Sequence, residues 1–86
     1  MIVRLPGLLD TYTGGQREHE VEGETVADAL AALDERFPGI RFRLIDEHER
    51  VRTHIRIFVG PDSIEDLATA VPKGQEVFVI GALSGG

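Results

Sequence analysis

Gly85 and Gly86 have the most specific chemistry open to them of any residues in this sequence. They follow Leu83 and Ser84, just after an apolar, strand-like run, and the sequence ends on the second glycine. Without side chains, such a backbone lies extended in a channel too narrow for a Cβ. A terminal carboxylate on that stem can reach the ATP site of another enzyme. Adenylation gives the carboxylate a good leaving group, and sulfide then converts it to a thiocarboxylate. That product is a nucleophile which needs no cysteine.

The other reactive residue types point to no catalytic apparatus. His19, His48 and His54 lack metal-ligand spacing, so no metal site is expected. Asp46, Glu47, Glu49, Asp62, Glu65 and Asp66 read as solvated carboxylates, since acid/base work needs a cleft that shifts their pKa values. Ser63 and Ser84 have no recognisable base partner. Gly14-Gly15 is not followed by Lys and Ser/Thr, so it is no phosphate loop. Absence of cysteine excludes disulfides, thiolate metal sites and thiol catalysis.

With 86 residues there is room for one domain and one core, and little for a deep substrate cavity. An apolar fraction of 42% is ordinary for a folded chain. A net charge of −6 disfavours nucleic-acid and anionic-membrane partners and suits a partner with a basic docking face. There is neither a signal-peptide layout nor an apolar stretch of about 18 residues, so the expected location is cytoplasmic.

Stepping along the chain, Met1 to Leu5 reads as a strand with Arg4 outward and Val3 and Leu5 inward. Pro6-Gly7 interrupts it, and Thr13-Gly14-Gly15 marks a turn. Arg17 to Val21 returns as the second strand of a hairpin, with Glu18 and Glu20 in solvent. Thr25 to Phe37 is the main helix. Thr25 is its N-cap with Asp28 in a capping box, and Val26, Ala29, Leu30, Leu33 and Phe37 form its apolar stripe. Pro38-Gly39 ends it. Ile40 to Arg52 reads as a loop with tucked apolar members. Thr53 to Val59 is a strand, Gly60-Pro61-Asp62 a turn, and Ile64 to Leu67 a helical turn or edge strand. Pro72-Lys73-Gly74 turns into the last strand, Glu76 to Ile80. This order predicts an α+β, β-grasp (ubiquitin-like) fold: a mixed four- to five-stranded sheet with one main helix on one face. Residues 1–82 form the domain, and residues 83–86 are expected to be a mobile tail ending in Gly-Gly.

Phase along two strands predicts an outer patch. Arg56 is costly to bury unpaired, which turns Arg56 and Phe58 away from the helix and Ile55, Ile57 and Val59 toward it. Glu76 does the same for Phe78 and Ile80. Phe58, Phe78 and Ile80, with Arg56, are therefore expected to form a partner-binding surface leading to Leu83. The alternative is that residues Ile40 to Ile45 fold over this face.

The stretch Lys73-Gly74-Gln75-Glu76-Val77-Phe78-Val79-Ile80-Gly81-Ala82-Leu83-Ser84-Gly85-Gly86 resembles the turn, final strand and Gly-Gly tail of the MoaD/ThiS family of sulfur carriers. Within that family the chain looks closest to the CysO type, which serves cysteine biosynthesis. Thr13-Gly14-Gly15-Gln16, Gly39-Ile40, Arg43-Leu44-Ile45-Asp46, His54 to Val59 and Leu67 to Val71 carry that likeness. Arg56 and Gly60 stand where such relatives often have Asn. The resemblance implies a carrier rather than an enzyme, with no bound cofactor and monomeric when free. An E1-like adenylyltransferase/sulfurtransferase would consume ATP to activate Gly86, with Gly85, Ser84 and Leu83 as tail contacts. The acceptor would be a cysteine synthase, the large subunit of molybdopterin synthase, or a thiazole synthase. A role as molybdopterin synthase small subunit, thiamine-type carrier or ubiquitin-like protein modifier remains open on the sequence.

Overall fold

The structure, a computed structural model, describes residues 1–81. The proposed tail residues Leu83, Ser84, Gly85 and Gly86 lie outside the described residues, as does the expectation about their mobility. Five strands occur in chain order: β1 (Ile2–Arg4), β2 (Glu18–Glu20), β3 (Ile55–Val59), β4 (Asp62–Ile64) and β5 (Val77–Gly81). They form one sheet in the order β2-β1-β5-β3-β4. β1 and β5 run parallel, and every other pair is antiparallel. Helices α1 (Asp10–Thr13), α2 (Val26–Arg36) and α3 (Ile40–Leu44) complete the fold. This is the expected β-grasp arrangement, with five strands.

The core lies between the sheet and α2. Val3, Ile57, Val77, Val26, Leu30 and Leu33 are fully buried there. Each such side chain contributes about 1.5–3 kcal/mol relative to exposure. His19 also points inward. Its Nε2 lies 2.8 Å from the Gln16 carbonyl and its ring meets Phe37 edge-on at 5.2 Å, so it is a satisfied core histidine.

Helix α2 starts where its capping residues dictate. Thr25 Oγ1 accepts from the Asp28 N–H at 3.1 Å, and Asp28 Oδ2 accepts from the N–H groups of Thr25 at 3.1 Å and Glu24 at 2.9 Å. The remaining free N–H groups are met from far along the chain. Val26 donates to the Thr69 carbonyl at 3.0 Å and Ala27 to the Leu67 carbonyl at 2.8 Å.

Three local readings need correction. Ile40 to Arg52 is not a plain loop, because Ile40–Leu44 is helical. Asp34 makes that possible: its Oδ1 accepts from the N–H groups of Gly39 at 3.1 Å and Arg41 at 3.0 Å, which starts α3 directly after the reversal at Gly39. Ile40 and Leu44, one turn apart, are fully buried with Ile45, so this segment packs into the core beside α2 and does not cover the outer sheet face. The link between β1 and β2 holds a 3-10 turn, Gly7–Leu9, and then α1, both read only as an interrupted connection. Leu9 anchors it by full burial. Finally, the short element is the edge strand rather than the helical turn, but as β4 at Asp62–Ile64 it starts two residues before Ile64, because Gly60 at φ 57° lets the chain reverse at once.

Replacing Thr25 with Ala should lower unfolding free energy by about 1 kcal/mol in urea titrations. The Asp28 carboxyl is held below its ordinary value of 3.8, chiefly by the Glu24 N–H and then by Thr25. A lowered folded pKa stabilises the fold above the unfolded value and loses that contribution as pH falls through the folded one. The stability gap between wild type and Asp28→Asn should therefore be widest near neutral pH and shrink on acidification below the ordinary Asp range.

Candidate functional site

On β3 and β5 the residues alternate strictly. Ile55, Ile57 and Val59 are buried, as are Val77 and Val79, while Arg56 and Ile80 are exposed and Phe58 and Phe78 half-buried. The antiparallel register sets Phe58 directly opposite Phe78 and Arg56 opposite Ile80. Directly opposed side chains on one face of an antiparallel pair are near neighbours. The predicted partner-binding residues Phe58, Phe78, Ile80 and Arg56 thus stand together on the face away from α2.

Phe58, Phe78 and Ile80 line an apolar depression of about 320 Å³ with Gly60 and Pro61. Pro61 was missed in the sequence. The sequence shows it only as part of the Gly60-Pro61-Asp62 turn, and the two-residue link between Val59 and Asp62 that sets it there follows from the strand register. Gly60 suits this reversal because its φ of 57° lies in the left-handed region that residues other than glycine adopt only with strain.

Charges frame the patch. Arg4 lies beside Phe78 across the parallel pair, donates to Glu76 Oε1 at 2.7 Å and to Glu18 Oε1 at 2.8 Å. The Arg4 hydrogen bond, with its charge, holds the Glu76 carboxyl below the usual range. At that end of β5 the charges are internally matched. Arg56, at the other end, takes part in no ion pair among the described residues.

β5 ends at Gly81, opposite Ile55. A Cβ on Gly81 would overlap Leu8 Cδ2, so Leu8 packs directly against Gly81, the last residue of β5. Among the described residues no three His, Asp or Glu side chains converge as a metal site requires. No described helix is long and apolar enough to cross a membrane.

Comparison with known proteins agrees with this architecture. The sequence profile of the ThiS family matches residues 3–86. The sulfur carrier protein CysO of Mycobacterium tuberculosis is 30% identical, the match covering 98% of this chain and 96% of that protein. A chain of the BexX/CysO complex of Amycolatopsis orientalis superposes with a TM-score of 0.88 at 30% identity, covering 99% of this chain and 98% of that one. Small archaeal modifier protein 1 of Haloferax volcanii superposes with a TM-score of 0.73 at 25% identity, covering 96% and 97%.

Phe58→Ala and Ile80→Ala should each cost less than about 1 kcal/mol of stability, because little of either side chain is in the core. Ile57→Ala, one residue away and fully buried, should cost about 2–5 kcal/mol. Chemical denaturation of the three variants measures the contrast directly.

Proposed function

We propose a function from one premise: this chain belongs to the ThiS family. The protein is a sulfur carrier whose Gly86 carboxylate is adenylated, converted to a thiocarboxylate and used as a sulfur donor. The observation that carries this reading is that the family match runs through residue 86, including both tail glycines. The likeness to CysO over nearly the full length of both proteins supports cysteine biosynthesis as its pathway.

The chemistry divides between two proteins. An E1-like adenylyltransferase/sulfurtransferase supplies the ATP site, where the Gly86 carboxylate oxygen attacks the α-phosphorus and pyrophosphate leaves. Sulfide from that enzyme's sulfur source then attacks the acyl carbon, and AMP departs with the carboxylate oxygen. This chain contributes presentation rather than catalysis and holds no cofactor of its own. β5 is held by β1 at Val77 and Phe78 and by β3 along its whole length to Gly81, which supports an anchored base for the tail. Gly85 and Gly86 enter the narrow channel, Ser84 and Leu83 contact its mouth, and Phe58, Phe78, Ile80 and Arg56 dock the domain outside it. The acceptor is a cysteine synthase, and the reaction takes place in the cytoplasm with the free carrier as a monomer.

Similarity to a small archaeal modifier protein favours a second reading, in which Gly86 is joined to lysines of target proteins. Mass spectrometry of the protein from its native host separates the two. A carrier gains the mass of one sulfur-for-oxygen exchange, whereas conjugation yields species heavier by a whole target protein.

Gly86→Ala should fold normally yet support ATP–pyrophosphate exchange poorly with the activating enzyme, since the added Cβ meets a channel shaped for glycine. Deletion of Gly86 should abolish sulfur loading. Normal loading of the deletion variant would sink the proposed role.

A further inference from the structure

Away from the apolar depression, cations gather at one end of the molecule. Two concavities of about 340 Å³ each meet at Arg52. Arg50, Arg52 and Arg56 line one; Arg43, Arg52 and His54 line the second with Phe42. Glu65 is the one carboxylate on either lining. Arg4, Arg17 and Arg41 each hold a carboxylate, but among the described residues Arg43, Arg50 and Arg56 form no ion pair.

In a chain of net charge −6, these linings gather four arginines against Glu65, with Asp46 beside Arg50 as a further carboxylate. Like charges brought close repel, and an opposite charge arriving from outside relieves that repulsion. Position adds to the point. Arg56 is opposite Ile80 and Ile55 opposite Gly81, so the cluster borders the end of β5 from which residues 82–86 continue.

Phe42 identifies the class of occupant. It is 57% exposed, the most exposed of the large apolar side chains among the described residues, yet it is held in place. Arg52 Nε donates to the Phe42 carbonyl at 2.7 Å, and the guanidinium sits 4.6 Å from the ring centroid. A fixed aromatic ring among arginines is the composition of a protein interface. A free phosphate has no use for the ring, and a nucleic acid would meet the repulsion of the remaining surface.

We infer that Phe42 with Arg43, Arg50, Arg52 and Arg56 forms a second docking surface, which binds carboxylates on the enzyme that activates the tail. This rests on the carrier reading. It extends the apolar patch of Phe58, Phe78 and Ile80 through Arg56 and fixes the orientation in which the domain lands.

The test is ATP–pyrophosphate exchange with the E1-like enzyme of the same organism, reading KM and kcat for the carrier. Arg43→Glu and Arg50→Glu, both at exposed positions, should each raise KM on the order of tenfold while kcat stays within about twofold. Arg50→Gln should give a smaller rise in the same direction. Lys73→Glu makes the same change in net charge before the opposite end of β5 and should leave KM unchanged. Unchanged KM in the arginine variants would overturn the inference alone, as would an equal rise in Lys73→Glu. No exchange with the wild-type chain would overturn the carrier reading and this inference with it.

Discussion

The position of the last strand is the constraint on which this molecule depends. β5 enters between β1 and β3 and is hydrogen-bonded on both sides, parallel to one and antiparallel to the other. Its alternation leaves no slack. A slip of one residue would put Phe78 and Ile80 into a core packed around Val77 and Val79 and expose those valines to water. One register therefore sets three things together: the filling of the core, the aromatic pair on the outer face, and Gly81 opposite Ile55 as the point where the tail departs.

Reaching that slot requires the chain to cross from the edge strand β4 back to the middle of the sheet. Residues 65–76 make this passage without regular structure, and the N-terminus of α2 holds them. Its N–H groups at Val26 and Ala27 are satisfied by the carbonyls of Thr69 and Leu67, and Val71 N–H returns a bond to the Glu24 carbonyl at 2.8 Å. Free N–H groups at a helix start carry partial positive charge and must find acceptors. Here those acceptors belong to the crossover itself, so helix capping and the delivery of β5 are one interaction network.

Much of this was legible in the residues. The capping box of Thr25 and Asp28, the stripe from Val26 to Leu33 and the alternation in β3 and β5 are short-range patterns with one physical solution each. Arg56 and Glu76 gave the phase of the outer patch because an unpaired charge resists burial. What was not legible depended on partners distant in sequence or hidden by composition. Helix α3 is five residues with three of them polar or exposed, and its start relies on a carboxylate from the preceding helix, Asp34, which reads as solvated surface. The short helices between β1 and β2 rest on burial of Leu9, which no local period announces. The arginine end escaped for a related reason. Arg43, Arg50, Arg52 and Arg56 come from α3, a turn and a strand, and the Asp46, Glu47 and Glu49 carboxylates interleaved with them in sequence hide the sign of the surface they share.

The distribution of charge along β5 then gives the outer face a direction. At the Glu76 end, Arg4 bridges Glu76 and Glu18, and matched charges there offer a partner little electrostatic preference. At the Gly81 end, Arg43, Arg50, Arg52 and Arg56 form no ion pair among the described residues. A net charge of −6 repels any acidic partner from a distance, so these arginines act only at short range, within a screening length of about 8 Å at physiological ionic strength. An effect confined to contact distance cannot speed long-range encounter. What it can do is discriminate among encounter orientations, favouring those with the Gly81 end against the partner. On the carrier reading, that discrimination is how a folded domain acts on a partner: the outer sheet face and the arginine end together fix how the domain sits, and the register of β5 fixes where Gly81 lies within that contact.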